Sequence, residues 1–287
     1  MSAAQIDVLG IGNAIGDIIA RSDDETVARL DLPKGGMQLI EETDIDRIYG
    51  AMGPAQERSG GSAANTMAGI ASFGGNAGFI GRVADDEFGK IFRHDIKSIG
   101  VAFESTPAMD ADPTARCLIF VTPDGERTMN TYLGCSPALD NREITPEHIA
   151  AARILYLEGY LFDRDEAKNA FYNACNIAKN ADTAIALTLS DTFCVERHRD
   201  AFRELIDTHI DILFANEDEL RALTGNDDIE QAAITLAGNK RTVIATRSEH
   251  GSFISHRSEN HEISSQPVKE VVDTTGAGDL YAAGFLY

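Results

Sequence analysis

The chain has 287 residues, of which 43% are hydrophobic and 25% charged, as in an ordinary soluble globular protein. It is long enough for one large α/β domain or two smaller ones. The formal net charge of −21 disfavours binding to nucleic acid or to an anionic membrane surface, so a phosphate-bearing ligand would need a local positive site or a metal.

The N-terminal residues have neither the basic region nor the apolar core of a secretory signal, and no apolar run approaches the length of a membrane span. The cysteines show no Cys-x-x-Cys spacing, which predicts buried thiols in a reducing cytoplasm. They are Cys117, Cys135, Cys175 and Cys194.

Residues 6–12 predict a short strand that ends in glycines and is followed by Asn13 and Asp17. The third glycine of a dinucleotide fingerprint would come one position earlier than Gly16, and no clean helix follows, so an NAD site is disfavoured. Asn13 and Asp17 are consistent either with turn chemistry after the strand or with hydrogen bonds to the hydroxyls of a ligand.

Residues 59–70 (SGGSAANTMAGI) predict a helix that opens with Gly60 and Gly61 and is rich in small residues. Such a helix either packs closely on a neighbour or lets its first turn approach a ligand, to which Asn65 would offer a donor and an acceptor. Residues 88–99 repeat apolar side chains at helical spacing, which indicates core. Residues 115–121 and 127–133 predict a hairpin, on which Arg116 and Arg127 are more typical of solvated charges than of phosphate contacts.

From residue 154 onward, strand and helix patterns alternate, which predicts a mostly parallel sheet covered on both faces. Ligands of such sheets bind at the carboxyl ends of the strands. Asn216, Thr246 and Asp273 follow strand ends and are expected to converge there. No Gly-x-x-x-x-Gly-Lys-Ser/Thr loop is present, so phosphates would have to be bound in another way.

Asn216 and Glu219 lie three residues apart after a predicted strand. This spacing is typical of a capping box at the start of a helix.

Residues 270–284 (EVVDTTGAGDLYAAG) predict a strand end, a turn and the start of an apolar helix. The N–H groups at such a helix start form an anion site, and Gly276 and Gly278 leave room for a close approach. Asp279 lies in the first helical turn, where it is either a favourable acid near the helix dipole or a base that takes a proton from an attacking hydroxyl.

Together these segments resemble the ribokinase-like, or PfkB, family of carbohydrate and nucleoside kinases. Residues 273–279 (DTTGAGD) look like its C-terminal signature and residues 60–65 like its N-terminal signature. Asn216 and Glu219 match its Asn-x-x-Glu motif, and residues 246–251 resemble its nucleotide loop, where the family usually has glycine in place of Ser248. The resemblance implies one kinase domain over residues 1–287, with a three-layer α/β/α fold, a mostly parallel central sheet and a small β-sheet lid built from about residues 14–44 and 98–133.

The resemblance also implies ATP-dependent phosphorylation of a hydroxyl group, with Asp279 as general base. The implied anion hole consists of Gly276, Ala277 and Gly278. The implied acceptor-binding residues are Asn13, Asp17, Gly60, Gly61 and Asn65, and the implied nucleotide-binding residues are Asn216, Thr246, Ser248 and Gly251. Asn216 and Glu219 are expected to arrange Mg²⁺ through water, and Asp273 and Thr275 to hold a monovalent cation such as K⁺.

Residues 12–17, residues 156–160 and the hairpin resemble the adenosine-kinase branch more than the ribose- or fructose-kinase branches. We therefore expect a nucleoside acceptor, adenosine first, with a sugar as the alternative. A catalytically silent nucleotide- or sugar-binding regulator on the same fold is a second alternative. Lids of this family often pair between subunits, so a homodimer through the lid is also an expectation.

The last predicted helix ends on apolar residues 285–287 without a glycine cap, whereas relatives continue with elements that complete the adenine pocket. We expect either that the protein continues beyond Tyr287 or that nucleotide binding is weakened.

Overall fold

The computed structural model describes residues 6–109, 111–269, 274 and 276–287. The strands of this part are β1 (Ile6–Ile11), β2 (Ile15–Arg21), β3 (Met37–Leu39), β4 (Ala55–Gly60), β5 (Ala77–Ile80), β6 (Ala102–Phe103), β7 (Ala115–Val121), β8 (Arg127–Tyr132), β9 (Ala152–Glu158), β10 (Ala184–Thr188), β11 (Ile212–Asn216), β12 (Thr242–Thr246), β13 (Ser252–His256) and β14 (Glu259–Ile263). Its helices are α1 (Asp24–Arg29), α2 (Glu42–Tyr49), α3 (Ser62–Phe73), α4 (Glu87–Ser98), α5 (Pro146–Ala151), α6 (Asp165–Asn180), α7 (Thr192–His209), α8 (Glu217–Thr224), α9 (Ile229–Ala237) and α10 (Ala277–Leu286).

A nine-stranded sheet forms the centre of the molecule, in the order β14-β13-β12-β11-β10-β9-β1-β5-β6. The strands from β12 to β6 are parallel, and β13 and β14 add an antiparallel edge. The inner strands are nearly continuous apolar runs because helices cover both of their faces. This sheet confirms the predicted α/β class with a mostly parallel sheet.

Helices on the two faces of the large sheet enclose two separate apolar cores. Helices α5 to α9 pack on one face around buried side chains such as Phe162, Phe171 and Phe202. Helices α3, α4 and α10 pack on the other face around Met67, Phe79 and their neighbours. The result is the predicted three-layer α/β/α arrangement, in which the carboxyl ends of the parallel strands share one edge.

A second sheet of five strands, in the order β3-β8-β7-β2-β4, forms the smaller sheet. One of its faces packs on α1 and α2 through a third apolar core that includes Ile18, Val27 and Ile48. The predicted hairpin is present as the antiparallel pair of β7 and β8.

The bounds of the smaller sheet differ from the predicted lid ranges 14–44 and 98–133. Strand β4 (Ala55–Gly60) pairs with β2 in the smaller sheet, whereas β6 (Ala102–Phe103) pairs with β5 in the large one. Both differences have a physical cause: β4 is an edge strand whose first four residues are all exposed, so it shows no apolar alternation, and β6 is only two residues long.

Within the described ranges, no helix combines the length and the apolar character that a bilayer crossing requires. All four cysteines, which were predicted to be buried thiols, are free and buried.

Candidate active site

The carboxylate of Asp279, in the first turn of α10, is held by the first turn of α3. The Ser62 hydroxyl donates to Asp279 Oδ1 over 2.7 Å, and the Asn65 side-chain amide donates to Oδ2 over 3.1 Å. Each carboxylate oxygen keeps a lone pair for a further donor, such as the hydroxyl of a substrate. Burial raises the pKa of Asp279, and the hydrogen bonds from Ser62 and Asn65 oppose that rise.

Close packing of α3 against α10 brings these residues together. A Cβ on Gly69 of α3 would lie only 2.7 Å from Cβ of Ala283 and 3.1 Å from Cδ1 of Leu280, both on α10. Because real side chains do not approach so closely, only glycine allows the two helices this separation. The small residues predicted in the helix over residues 59–70 therefore set the spacing between the helices.

The start of α10 leaves open space beside Asp279. Gly276 is the N-cap residue and has a left-handed backbone with φ of 72°. A Cβ on Gly278 would meet no atom of the described residues within 4 Å. The amide of Ala277 donates to the carbonyl of Thr274 over 3.1 Å, so this predicted member of the anion hole is engaged within the turn. Among the described residues, none therefore fills the space at the positive end of the α10 dipole, where an anion would bind.

Asn13, a predicted acceptor-binding residue, lies in a buried network. Its side chain is 3% exposed, its Nδ2 donates to Glu158 Oε1 over 2.8 Å, and its Oδ1 accepts from Ser136 Oγ over 2.9 Å. Both ends of the side-chain amide are therefore engaged within the protein. In this structure Asn13 supports the wall of the site through Glu158 and Ser136.

Glu158, at the end of β9, joins the end of β1 to the start of α3. Its Oε1 accepts from the backbone and the side chain of Asn13, and its Oε2 accepts from the Ala63 amide over 2.8 Å. It is 1% exposed, and burial raises its pKa to about 7 against the opposing effect of these bonds. Sequence reasoning did not assign Glu158 to the site. The sequence signal that could have identified it is a single glutamate at the end of an apolar strand. A carboxylate buried at such a position requires hydrogen-bond partners.

Asp17 lies on β2, next to the paired glycines. Burial raises its pKa to about 7, the Arg127 guanidinium lowers it, and the charge of Asp279 adds to the rise. A Cβ on Gly60 would lie 2.4 Å from Asp17 Oδ2, and a Cβ on Gly61 would lie 2.2 Å from the Asn13 carbonyl oxygen. Gly60 and Gly61 are thus required for space around Asp17 and Asn13.

Asn216 and Glu219 form the capping box that their spacing predicted. Asn216 Oδ1 accepts from the Glu219 amide over 2.8 Å, and Glu219 Oε2 accepts from the Asn216 amide over 3.0 Å. The Asn216 Nδ2 also donates to Glu219 Oε1 over 2.9 Å. Burial raises the pKa of Glu219 to about 7. Their role toward Mg²⁺ stays a prediction.

The donor set around these strand ends suits a metal that is held mainly by phosphate and water. In residues 6–109, 111–269, 274 and 276–287, no three histidine, cysteine, aspartate or glutamate side chains form a group that could bind a metal. Mg²⁺ keeps several waters and needs only one or two carboxylates when substrate phosphates bind it. Glu219, next to Asn216, is the carboxylate predicted to arrange such a metal through water.

The predicted nucleotide loop follows β12. Thr246 ends that strand, and Ser248 has a positive φ of 48°, in the left-handed region that favours glycine. Gly251 also has a positive φ, 88°, and a Cβ there would lie 1.9 Å from the Ile263 carbonyl oxygen. The backbone at Ser248 therefore keeps the conformation expected where the family usually has glycine.

Three further expectations concern cations and arginines. Asp273 and Thr275, expected to hold a monovalent cation, lie outside the described residues. The Arg116 guanidinium lies over the Phe88 ring, 4.7 Å from its centroid, and so packs on an aromatic side chain. Arg127 acts on the Asp17 carboxyl electrostatically.

Comparison with known proteins gives one family. The pfkB family carbohydrate kinase description matches residues 38–287. The fold is similar to the crystal structure of adenosine kinase from Sinorhizobium meliloti, with a TM-score of 0.89. The two sequences are 48% identical, and the alignment covers 99% of this chain and 87% of that one. The fold is also similar to the crystal structure of a probable sugar kinase protein from Rhizobium etli, with a TM-score of 0.89. The two sequences are 44% identical, and the alignment covers 99% of this chain and 86% of that one.

One relative by sequence is named for a different acceptor. The ATP-dependent ribose-1-phosphate kinase of Halopiger xanaduensis is 32% identical over 247 residues, which are 84% of this chain and 78% of that protein. Relatives named for a nucleoside and relatives named for sugars are thus both similar to this chain.

Proposed function

Because this chain belongs to the pfkB family of carbohydrate kinases, we propose that it phosphorylates the primary hydroxyl of a nucleoside with ATP, with adenosine as the expected acceptor. Kinases of this family are phosphotransferases that use ATP with Mg²⁺ and a hydroxyl acceptor. The choice of a nucleoside rests on one observation, the pattern of side chains on the smaller sheet.

The face of the smaller sheet that carries Asp17 has a polar row next to an apolar row. Strand register places Asp17 in one row with Arg58, Cys117 and Thr131, and Leu39 of β3 ends that row. Ile19, two residues along β2, lies in the next row. That second row consists of Ile19, Ile119, Met129 and Met37, with Gln56 of the edge strand β4 at its end. Alternate residues such as Ile18 point to the opposite face, where α1 and α2 pack.

These two rows suit a ligand with a hydroxylated part and an apolar part. A ribose would place its hydroxyls at Asp17, and a purine base would lie against the isoleucine and methionine side chains. A free sugar has hydroxyls on all sides, and the apolar row would leave some of them without hydrogen bonds. The 48% identity to an adenosine kinase supports the same choice.

In the proposed reaction, Asp279 accepts the proton of the acceptor hydroxyl as that oxygen bonds to the γ-phosphorus of ATP. The bond from the γ-phosphorus to the bridging oxygen breaks, and ADP leaves with the electron pair. Backbone amides at the start of α10 stabilise the charge on the transferring group. Mg²⁺ bound to the phosphates supplies further charge neutralisation. Ser62 and Asn65 hold Asp279, and Glu158 holds the loop of Asn13.

Replacing the base tests this mechanism. We expect Asp279→Asn to lower kcat by at least ~10²-fold, since an amide cannot accept the proton, while ATP binding stays close to that of the wild type. The measurement is ADP release with ATP·Mg²⁺ and adenosine, other nucleosides, ribose, ribose 1-phosphate or fructose, together with calorimetric ATP binding. The matched control is Asp200→Asn, which changes an exposed carboxyl on α7.

Turnover on a nucleoside that is lost in Asp279→Asn would support the proposal. Turnover on a sugar alone would assign the sugar-kinase alternative, and tight ligand binding without turnover would assign the silent regulator. Wild-type turnover in the Asp279→Asn variant would contradict the assigned base.

A further inference from the structure

The hydroxyl of Ser62 forms its hydrogen bond with a residue of α10 and does not cap its own helix, α3. It follows the N-cap residue Gly61, and α3 has no side-chain cap hydrogen bond. Its Oγ donates to Asp279 Oδ1 over 2.7 Å, a contact that joins residues 217 positions apart in the chain. Serine is a weaker helix former than alanine, so local helix stability does not require a hydroxyl at this position. The contact with Asp279 is therefore what the hydroxyl provides.

The environment of Asp279 makes its orientation important. Its carboxyl is partly buried, and its charge raises the pKa values of four groups in the described part of the chain: Asp17 on β2, Tyr156 and Glu158 on β9, and Tyr160 just after β9. These groups are carboxyls and phenols, so none of them supplies a fixed positive charge. The hydrogen bonds that favour the ionised form of Asp279 come from Ser62 and Asn65 of α3.

We propose that Ser62 is a positioning residue whose hydroxyl orients the Asp279 carboxylate so that a lone pair faces the acceptor hydroxyl. The catalytic part of this inference rests on the proposed kinase function. A hydroxyl both donates and accepts, so Ser62 stays bonded to Asp279 before and after the base takes a proton. Asn65 holds the other oxygen, and two donors from one rigid helical turn fix the plane of the carboxylate.

The test compares Ser62→Ala, Ser62→Thr and Ser72→Ala. Threonine keeps the hydroxyl, and Ser72 is a matched control because it lies on the same helix and donates to the Gly69 carbonyl. The first measurement is the ¹³C NMR titration of the Asp279 carboxyl in the ligand-free full chain, assigned with Asp279→Asn. Removing a donor to the charged form raises the pKa of a carboxyl. We expect a higher midpoint in Ser62→Ala and wild-type midpoints in the other two variants.

The second measurement is the pH profile of kcat with ATP·Mg²⁺ and the acceptor that the wild type phosphorylates. We expect Ser62→Ala to lower kcat by about tenfold and to move the acidic limb to higher pH, with the KM for ATP unchanged within about twofold. Ser62→Thr should restore both properties. A purely structural role would lower thermal stability and activity without moving the limb.

An unchanged midpoint and an unchanged acidic limb in Ser62→Ala would overturn the inference, as would a failure of Ser62→Thr to restore them in a folded protein. If the wild type phosphorylates no acceptor, the proposed function fails separately, and the NMR titration still decides whether Ser62 holds Asp279.

Discussion

Gly60 and Gly61 are adjacent residues with different neighbours, so alanine at each position has a different expected effect. Gly60→Ala places a Cβ 2.4 Å from Asp17 Oδ2, a side-chain atom that can move. We expect the KM for the acceptor to rise about tenfold, since Asp17 is displaced, with little change in stability. The KM from ADP-release kinetics and the thermal midpoint test this expectation.

Gly61→Ala has the larger expected cost because it meets backbone. Its Cβ would lie 2.2 Å from the Asn13 carbonyl oxygen, and its φ of 98° disfavours any side chain. We expect the free energy of unfolding in urea to fall by about 2 kcal/mol or more. The control is Gly225→Ala, which has a φ of 72° and no atom within 4 Å of the added Cβ, so that it bears the conformational cost alone. Equal losses in the two variants would contradict the predicted backbone clash.

Some site residues could be predicted from the sequence because their chemistry is local. Asp279 follows a glycine-rich turn at a helix start, and the capping box of Asn216 and Glu219 depends only on a spacing of three. Ser62 and Glu158 were missed because their partners lie more than 90 residues away in the chain. A hydrogen bond between distant segments leaves no spacing pattern, so only the fold reveals it.

The contact between α3 and α10 is the packing element on which the site depends. Gly69 of α3 lies where a Cβ would be 2.7 Å from the Cβ of Ala283, whereas a Cβ on Gly284 of α10 would meet its nearest neighbour, Phe73, at 4.0 Å. We expect Gly69→Ala to separate the helices, to weaken the contact between Ser62 and Asp279, and to lower kcat about tenfold or more.

Gly284→Ala is the matched substitution for Gly69→Ala. Alanine is the better helix former by about 1 kcal/mol, so Gly284→Ala should raise the free energy of unfolding and keep wild-type kcat. Urea unfolding and ADP-release kinetics measure both quantities. A loss of kcat in Gly284→Ala equal to that in Gly69→Ala would mean that any added methyl group harms this helix pair.

Elements with a strong hydrophobic period were predicted well, whereas short or exposed ones were not. The bounds of β7 are those the sequence predicted, and α4 covers nearly all of the apolar repeat over residues 88–99, since each has a clear apolar pattern. Strands β4 and β14 were missed because their exposed residues carry no alternation. Their pairing comes from neighbouring strands, which a single segment does not encode.

Across the whole molecule, the buried carboxyls assigned to the candidate active site share one electrostatic property. Burial raises the pKa values of Asp17, Glu158 and Glu219 to about 7, and that of Asp279 also rises. The chain already has a formal charge of −21. A nucleotide would therefore meet a site lined by carboxyls, in which the start of α10 and Mg²⁺ are the features that favour phosphate.

Each of these raised pKa values contributes to the ligand-free protein a stability that falls with rising pH. An acid whose pKa is higher in the folded chain than in the unfolded chain contributes stability that is complete below the unfolded value and is lost as the pH rises through the folded value. For Glu219 that interval runs from about 4.3, the ordinary glutamate pKa, to about 7.

Glu219→Gln should therefore flatten the dependence of stability on pH. Glutamine stays neutral and keeps the capping box, which accepts either residue at this position. Between pH 5 and pH 8 we expect the wild type to lose more unfolding free energy than the variant, by on the order of 2 kcal/mol. Urea unfolding across this range measures the difference, and Glu196→Gln, at an exposed position of α7, is the control. Parallel curves for the wild type and Glu219→Gln would show that Glu219 ionises without cost in the folded chain, so that the crevice already holds this charge before any metal or nucleotide binds.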